Sequence, residues 1–284
     1  MLIDSHHHFW DPSKGDYTWM NGKFSPLRRP YGPRELEPEL TGAGVGHTVL
    51  VQARADVDET VDLLAIAAEH DFVVGVIGWV DLTSRTVSKS IRAFRGMPGG
   101  DKLVGFRHLL HDEDDPQWLL HPGVQRNIRR VGEAGLAFDF LVRVRELPGA
   151  TETARRHSGM RFVIDHLAKP QIDGDAPSHN WRHAISRIGE LSNVYCKISG
   201  LVTEVDLQRW SQVALDPYVK VAVDSFGPHR LLVGSDWPVC LLAGAYGVVI
   251  DAYLNALRSV GGASATSCLH ANTIRAYGLR IDAA

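Results

Sequence analysis

The first strand-like segment, residues 2–4, runs straight into Ser5-His6-His7-His8. On an extended chain residues i and i+2 share a side about 7 Å apart, so His6 and His8 face one way and His7 the other. Two imidazoles so placed converge on a divalent ion at about 2.0–2.1 Å each. The competing reading is a chance polar cluster or a tag remnant. A tag would run longer and would not interrupt a strand-to-loop junction. A third imidazole, His166, follows the apolar run Phe162-Val163-Ile164-Asp165, and a carboxylate, Asp236, sits in Gly234-Ser235-Asp236-Trp237-Pro238. Taken alone, His166 reads as a hydrogen-bonded rim histidine; alongside His6 and His8 it reads as a ligand. Asp236 suits binding a metal, accepting a proton from water, or both, and an Asp before Pro also suits a helix cap. Arg107 and His108 end another apolar run. The planar fork of Arg107 fits a substrate clamp and His108 fits a donor to a carbonyl oxygen, although both equally suit structural ion pairs.

The elements that must position these groups are short β-branched runs at residues 2–4, 48–52, 73–79, 103–107, 137–142, 161–164, 194–199 and 231–234. Helix-period segments lie between them at 59–70, 84–94, 124–134, 179–191, 207–226 and 246–260, and a last one, 264–277, is expected outside the barrel. Continuous apolar strands suit a parallel sheet covered by helices. Eight β/α units in 284 residues give the arithmetic of a single-domain α/β chain, a (β/α)₈ TIM barrel over residues 1–284. An open doubly wound sheet would announce itself with a Gly-rich turn after the first strand, where histidines stand instead. In a barrel the loops 10–33 and 111–122 lie on the C-terminal face, where sites are built.

Composition narrows the class. The net charge is −3 without long basic blocks, so neither nucleic acid nor an anionic membrane surface is expected. No apolar run approaches a membrane span and no secretory leader is visible. Cys196, Cys240 and Cys268 are too sparse for a disulfide framework. A cytoplasmic setting is expected, with a homo-oligomer left open.

The segments IDSHHHFW (3–10), VQA (51–53), GFRHLLH (105–111), DHLAKP (165–170), NVYCKISGLVTE (193–204) and GSDWPVC (234–240) resemble the amidohydrolase superfamily, and within it a branch that hydrolyses sugar lactones. The resemblance spans nearly the whole chain. It implies that His6, His8, His166 and Asp236 line a metal or carbonyl pocket, that Asp236 activates water, and that Arg107 and Trp118 contact substrate. Relatives hold one metal ion, zinc above all, or none. A carboxylated lysine bridging two metals is not expected, because Lys169 lies past its strand and Arg107 ends the fourth. The expected partner is a small lactone, of the fucono or rhamnono type. His108 and His166 would assist Asp236. Trp237, with Trp10, Tyr17, Trp19, Trp118 and Trp181, offers flat faces, and Asn180 and Glu204 offer hydroxyl readers; each also suits ordinary packing. Three alternatives stand: a hydrolase of dicarboxylate (muconolactone- or pyrone-type) lactones using Arg107, Arg143 and Lys169, a non-oxidative decarboxylase, and a non-enzymatic binding module.

Overall fold

The computed structural model describes residues 2–173, 176–207, 210–261 and 270–281. Eight parallel strands follow one another around a sheet in chain order: β1 (Leu2–His7), β2 (Val45–Val51), β3 (Val73–Gly78), β4 (Leu103–Leu109), β5 (Ala137–Leu141), β6 (Phe162–Ile164), β7 (Val194–Ile198) and β8 (Leu231–Val233). All eight expected strands are present, as the (β/α)₈ arithmetic requires. The sheet closes where β1 meets the segment after β8: His8 N–H donates to Trp237 O at 2.7 Å and Asp236 N–H donates to His6 O at 2.8 Å. Closure therefore draws Asp236 against the first-strand histidines.

Helices α1 (Pro33–Gly42), α2 (Val57–Glu69), α3 (Val87–Arg95), α4 (Pro122–Glu133), α5 (Leu147–Arg156), α6 (His179–Gly189), α7 (Gln212–Phe226) and α8 (Tyr246–Gly261) cover the sheet. Two of them start on side-chain caps: Asp56 accepts from Asp58 N–H at α2, and Ser178 from Trp181 N–H at α6. Two helices, α1 and α5, were not among the expected segments. α1 holds Pro33 and Pro38, and α5 opens Leu-Pro-Gly-Ala; proline and glycine are the poorest helix formers. Part of the expected segments 207–226 and 264–277, together with Cys268, lies outside the described residues. The last helix described is Ala271–Tyr277.

The barrel interior is layered. Ile3, Val49, Ile77, Ala137, Val163 and Leu232 form an apolar floor that Tyr277 of the last helix closes. Side chains alternate along a strand, so the layer above begins two residues further on: Ala137 leads to Asp139, Gly105 to Arg107, Val163 to Asp165 and Tyr195 to Lys197. That layer is charged and fully buried or nearly so. On β1 the pairing with β2 slips between Asp4 and His7. A one-residue slip reverses the facing of a side chain, which lets both Ile3 and His6 point inward.

Candidate active site

At the C-terminal mouth, His6 Nε2 lies 3.1 Å from His8 Nε2, and Asp236 Oδ1 lies 3.3 Å from His8 Nε2, 3.7 Å from His6 Nε2 and 3.9 Å from His166 Nε2. The four side chains expected to converge do so. Local packing explains the placement. Gly234 is needed because a Cβ there would stand 2.5 Å from His6 Cβ, and Gly200 because its Cβ would stand 2.5 Å from His166 Nδ1. Asp4 ties β1 to the turn after β8 by accepting from Ser235 Oγ at 2.6 Å, Ser235 N–H at 2.9 Å and His6 N–H at 3.0 Å. Burial pushes the Asp4 carboxyl up to about 6 against those bonds. His166 opens an unusual segment: His166, Leu167, Ala168 and Lys169 all have φ between 47° and 58°. A left-handed backbone costs a non-glycine residue about 1–2 kcal/mol, so four in a row persist only where the surroundings fix them. Trp181 Nε1–H, donating to Leu167 O at 2.8 Å, is one such restraint.

The electrostatics differ from group to group. Burial holds the His166 imidazole neutral, down to about 4, against the attraction of Asp236. His6 is likewise lowered, first by burial and then by the Lys197 ammonium. Burial opposes ionisation of Asp236, but its histidine neighbours outweigh it and hold the carboxyl well below the usual range. Asp236 is therefore a carboxylate at neutral pH, beside the neutral imidazoles of His6 and His166.

Beneath the histidines lies a network that sequence reading missed. Lys197 Nζ, fully buried, sits 2.7 Å from Asp139 Oδ2, 2.9 Å from Asp165 Oδ1 and 3.0 Å from His6 Nδ1. The ammonium donates to Asp139 Oδ2 and His6 Nδ1, and Asp165 Oδ1 completes the ion pair. His6 Nε2 then carries the ring proton and donates to His8 Nε2, whose own Nδ1–H donates to Val51 O at 2.7 Å. Tyr277 OH donates to Asp139 Oδ2 at 2.8 Å. Arg107 donates through Nη1 to Asp165 Oδ2 at 3.0 Å and through Nη2 to Gln52 O. The available signal was a charge inside an otherwise apolar strand, Asp139 in AFDFL and Lys197 in VYCKI. Such charges are almost never fully buried unless paired.

The donor set fits a divalent ion. Ligands about 2.05 Å from a tetrahedral zinc stand about 3.3 Å apart, close to the 3.1–3.9 Å separations here. His6, His166 and Asp236 bring their ligand atoms within 4.8 Å of one another, and His8 Nε2 stands beside two of them, 3.1 Å from His6 Nε2 and 3.3 Å from Asp236 Oδ1. Ligation by His6 requires its proton to shift to Nδ1, where Asp165 Oδ1 stands ready at 3.4 Å.

A cavity of about 760 Å³, counting its open mouth, rises above this cluster and is lined by His8, His166, Asp236 and Arg107 together with Trp19, Phe24, Arg143, Lys169 and Glu204. Three expected site residues are corrected here, because the structure places them outside that lining. His108 neighbours Arg107 on β4, so it points to the opposite face. There it stacks on Trp118 at 4.3 Å, accepts from Trp79 Nε1–H and contacts Glu113 at 2.7 Å. Trp118 therefore packs on His108 and does not reach the cavity. Trp237 is buried edge-on against Phe9 and Tyr31. Trp10, Tyr17 and Trp181 are buried packing residues and Asn180 is exposed on α6; among the aromatic residues expected there, Trp19 lines the cavity. Arg107 lines it with most of its fork already bonded to the protein.

Fold and site together define a (β/α)₈-barrel hydrolase of the metal-binding type. The profile of the amidohydrolase family (Amidohydro_2) matches residues 3–279, and the chain belongs to that family. It is 40% identical over 249 residues to an L-fucono-1,5-lactonase of Burkholderia ambifaria, covering 86% of this chain and 83% of the relative. A second L-fucono-1,5-lactonase, from Burkholderia multivorans, is 36% identical over 87% of this chain and 85% of its own length. A crystal structure of a Burkholderia multivorans amidohydrolase with bound zinc superposes with a TM-score of 0.92 at 34% identity, covering 99% of this chain and 100% of that one. Among the described residues, no helix is long and apolar enough to cross a membrane.

Proposed function

We propose that this chain is a lactonase that opens a sugar-acid lactone of the fucono type, with zinc as the ion its histidines and Asp236 hold. The observation that carries the reading is Asp236, an ionised carboxylate within 3.3–3.9 Å of three imidazole nitrogens at the floor of an open cavity. The likeness to two L-fucono-1,5-lactonases supports it.

In the reaction, Asp236 takes a proton from water as the water oxygen bonds to the lactone carbonyl carbon. Charge developing on the carbonyl oxygen meets the Arg107 guanidinium at the cavity wall. When that oxyanion collapses, the bond from the carbonyl carbon to the ring oxygen breaks. Asp236 returns its proton to the departing ring oxygen, leaving a hydroxyl and a carboxylic acid, which releases its proton to solvent and becomes the carboxylate. Zinc, when bound by His6, His8, His166 and Asp236, supplies Lewis acidity and a lower pKa for its water.

A dicarboxylate lactone is a poorer fit. Of the three cations that could clamp a dianion, Arg107 is paired with Asp165 and Lys169 with Glu204 at 2.6 Å, leaving Arg143 with a distant contact to Glu204. The test is acid release, followed with a pH indicator, across L-fucono-1,5-lactone, an L-rhamnonolactone and a pyrone dicarboxylate, with carbon dioxide monitored in parallel. Fast acid release from the first supports the reading. Preference for the dicarboxylate, or carbon dioxide release, overturns it. Dialysis against a chelator and restoration with zinc tests the ion.

A further inference from the structure

We infer that Glu204, Lys169 and Arg143 form a hydroxyl-reading subsite that selects polyhydroxylated lactones over bare ones. The inference rests on the lactonase reading above and specifies what the cavity recognises. Glu204 follows β7, Lys169 follows β6 and Arg143 follows β5, so three neighbouring loops deliver them to one wall of the cavity that contains Asp236. Lys169 Nζ donates to Glu204 Oε1 at 2.6 Å, and Arg143 Nη1 stands 3.8 Å from Glu204 Oε2. Lys169 and the cations near it draw the mostly buried Glu204 carboxyl below its ordinary range against burial.

The backbone places Lys169 there at a cost. The left-handed run of residues 166–169 closes with Lys169 N–H donating to His166 O at 2.8 Å. In such a three-residue turn, positions i and i+3 come into register, so the turn that presents His166 to the site presents Lys169 to the same cavity. Holding four non-glycine residues in this conformation is the kind of stored strain that accompanies function.

The chemistry follows from the donor and acceptor count. A carboxylate has about four acceptor positions, and Lys169 uses one. The remainder accept O–H groups, while Lys169 and Arg143 donate to the same hydroxyl oxygens. A carboxylate bracketed by two cations thus offers acceptors and donors side by side, which matches adjacent hydroxyls on a lactone ring. The apolar side chains of Trp19 and Phe24 line another part of the cavity and suit the C–H face of a sugar ring.

The experiment compares L-fucono-1,5-lactone with δ-valerolactone, which has no hydroxyls, in wild type, Glu204→Gln, Lys169→Met and the double variant. Thermal melts check folding. Loss of one charge-assisted contact is expected to lower kcat/KM on the sugar lactone about 10- to 100-fold, mostly through KM. The loss on δ-valerolactone should be at least tenfold smaller. The double variant should lose less than the product of the single losses, because the pair acts on the same hydroxyls. Equal losses on both lactones, or no loss on the sugar lactone, overturns the subsite while leaving the lactonase reading intact. A wild type that opens neither lactone overturns both.

Discussion

Replacing Lys197 with Met isolates the energetics of the layer beneath the site. The side chain is fully buried, and its ammonium is the cation between Asp139 and Asp165. Removing one partner of a buried pair leaves an uncompensated charge and costs about 3–5 kcal/mol. Asp165 keeps Arg107 at 3.0 Å, so the cost falls on Asp139, which retains only the Tyr277 hydroxyl. For a chain of this size the loss corresponds to a fall in Tm of roughly 6–20 °C. The sign of the pH dependence is fixed. Burial already raises the Asp139 carboxyl above its ordinary value, with Lys197 opposing. Without Lys197 it rises further, and a raised carboxyl favours the folded state at low pH and loses that contribution as pH rises through the folded value. Thermal unfolding by circular dichroism should therefore show a larger deficit at pH 8 than at pH 5. Adding Asp139→Asn to Lys197→Met should recover part of it. A Lys197→Met protein as stable as wild type at pH 8 would refute the reasoning.

Two other outcomes follow from single side chains. Glu59 accepts from Ala53 N–H and Arg54 N–H, yet burial pushes it from 4.5 up to about 7. Its contribution is present below the unfolded value and lost as pH rises through about 7, an effect of about 3 kcal/mol. Glu59→Gln keeps an acceptor and removes the titration, so its stability relative to wild type should improve between pH 5 and pH 8; parallel urea-unfolding profiles would count against this. Gly200 has φ +64° and leaves no room for a Cβ beside His166. Gly200→Ala should displace that ring from Ser199, with which it bonds at 2.8 Å, and lower both zinc stoichiometry and kcat, the latter by about 100-fold. Wild-type values for both would contradict the packing argument.

How much was legible in the sequence follows from what each residue advertises. Eight apolar runs and histidines at strand ends are local signals, and they gave the barrel and the grouping of His6, His8, His166 and Asp236 at one mouth. α1 and α5 were missed because tertiary packing stabilises helices whose proline and glycine content argues against them. Lys197 and Asp139 were missed because each looks like an isolated charge until the barrel closes and stacks them in one layer. His108 was misplaced because it adjoins Arg107, and strand alternation turns neighbours to opposite faces. The same rule, applied to His6 and His8, had placed them correctly. Lys169 was read as lying beyond a strand and as one of three candidate anion clamps, and not as a partner of Glu204, since nothing in DHLAKP announces four consecutive left-handed residues.

The central claim is that the carboxylate following the last strand removes the proton from water at a cluster of first- and sixth-strand imidazoles. Asp236→Asn keeps the size and the Asp236 N–H bond to His6 O while removing the base. Initial rates of acid release from L-fucono-1,5-lactone should fall by about 10²–10⁴-fold with an unchanged circular dichroism spectrum. Turnover within a few-fold of wild type would contradict the account.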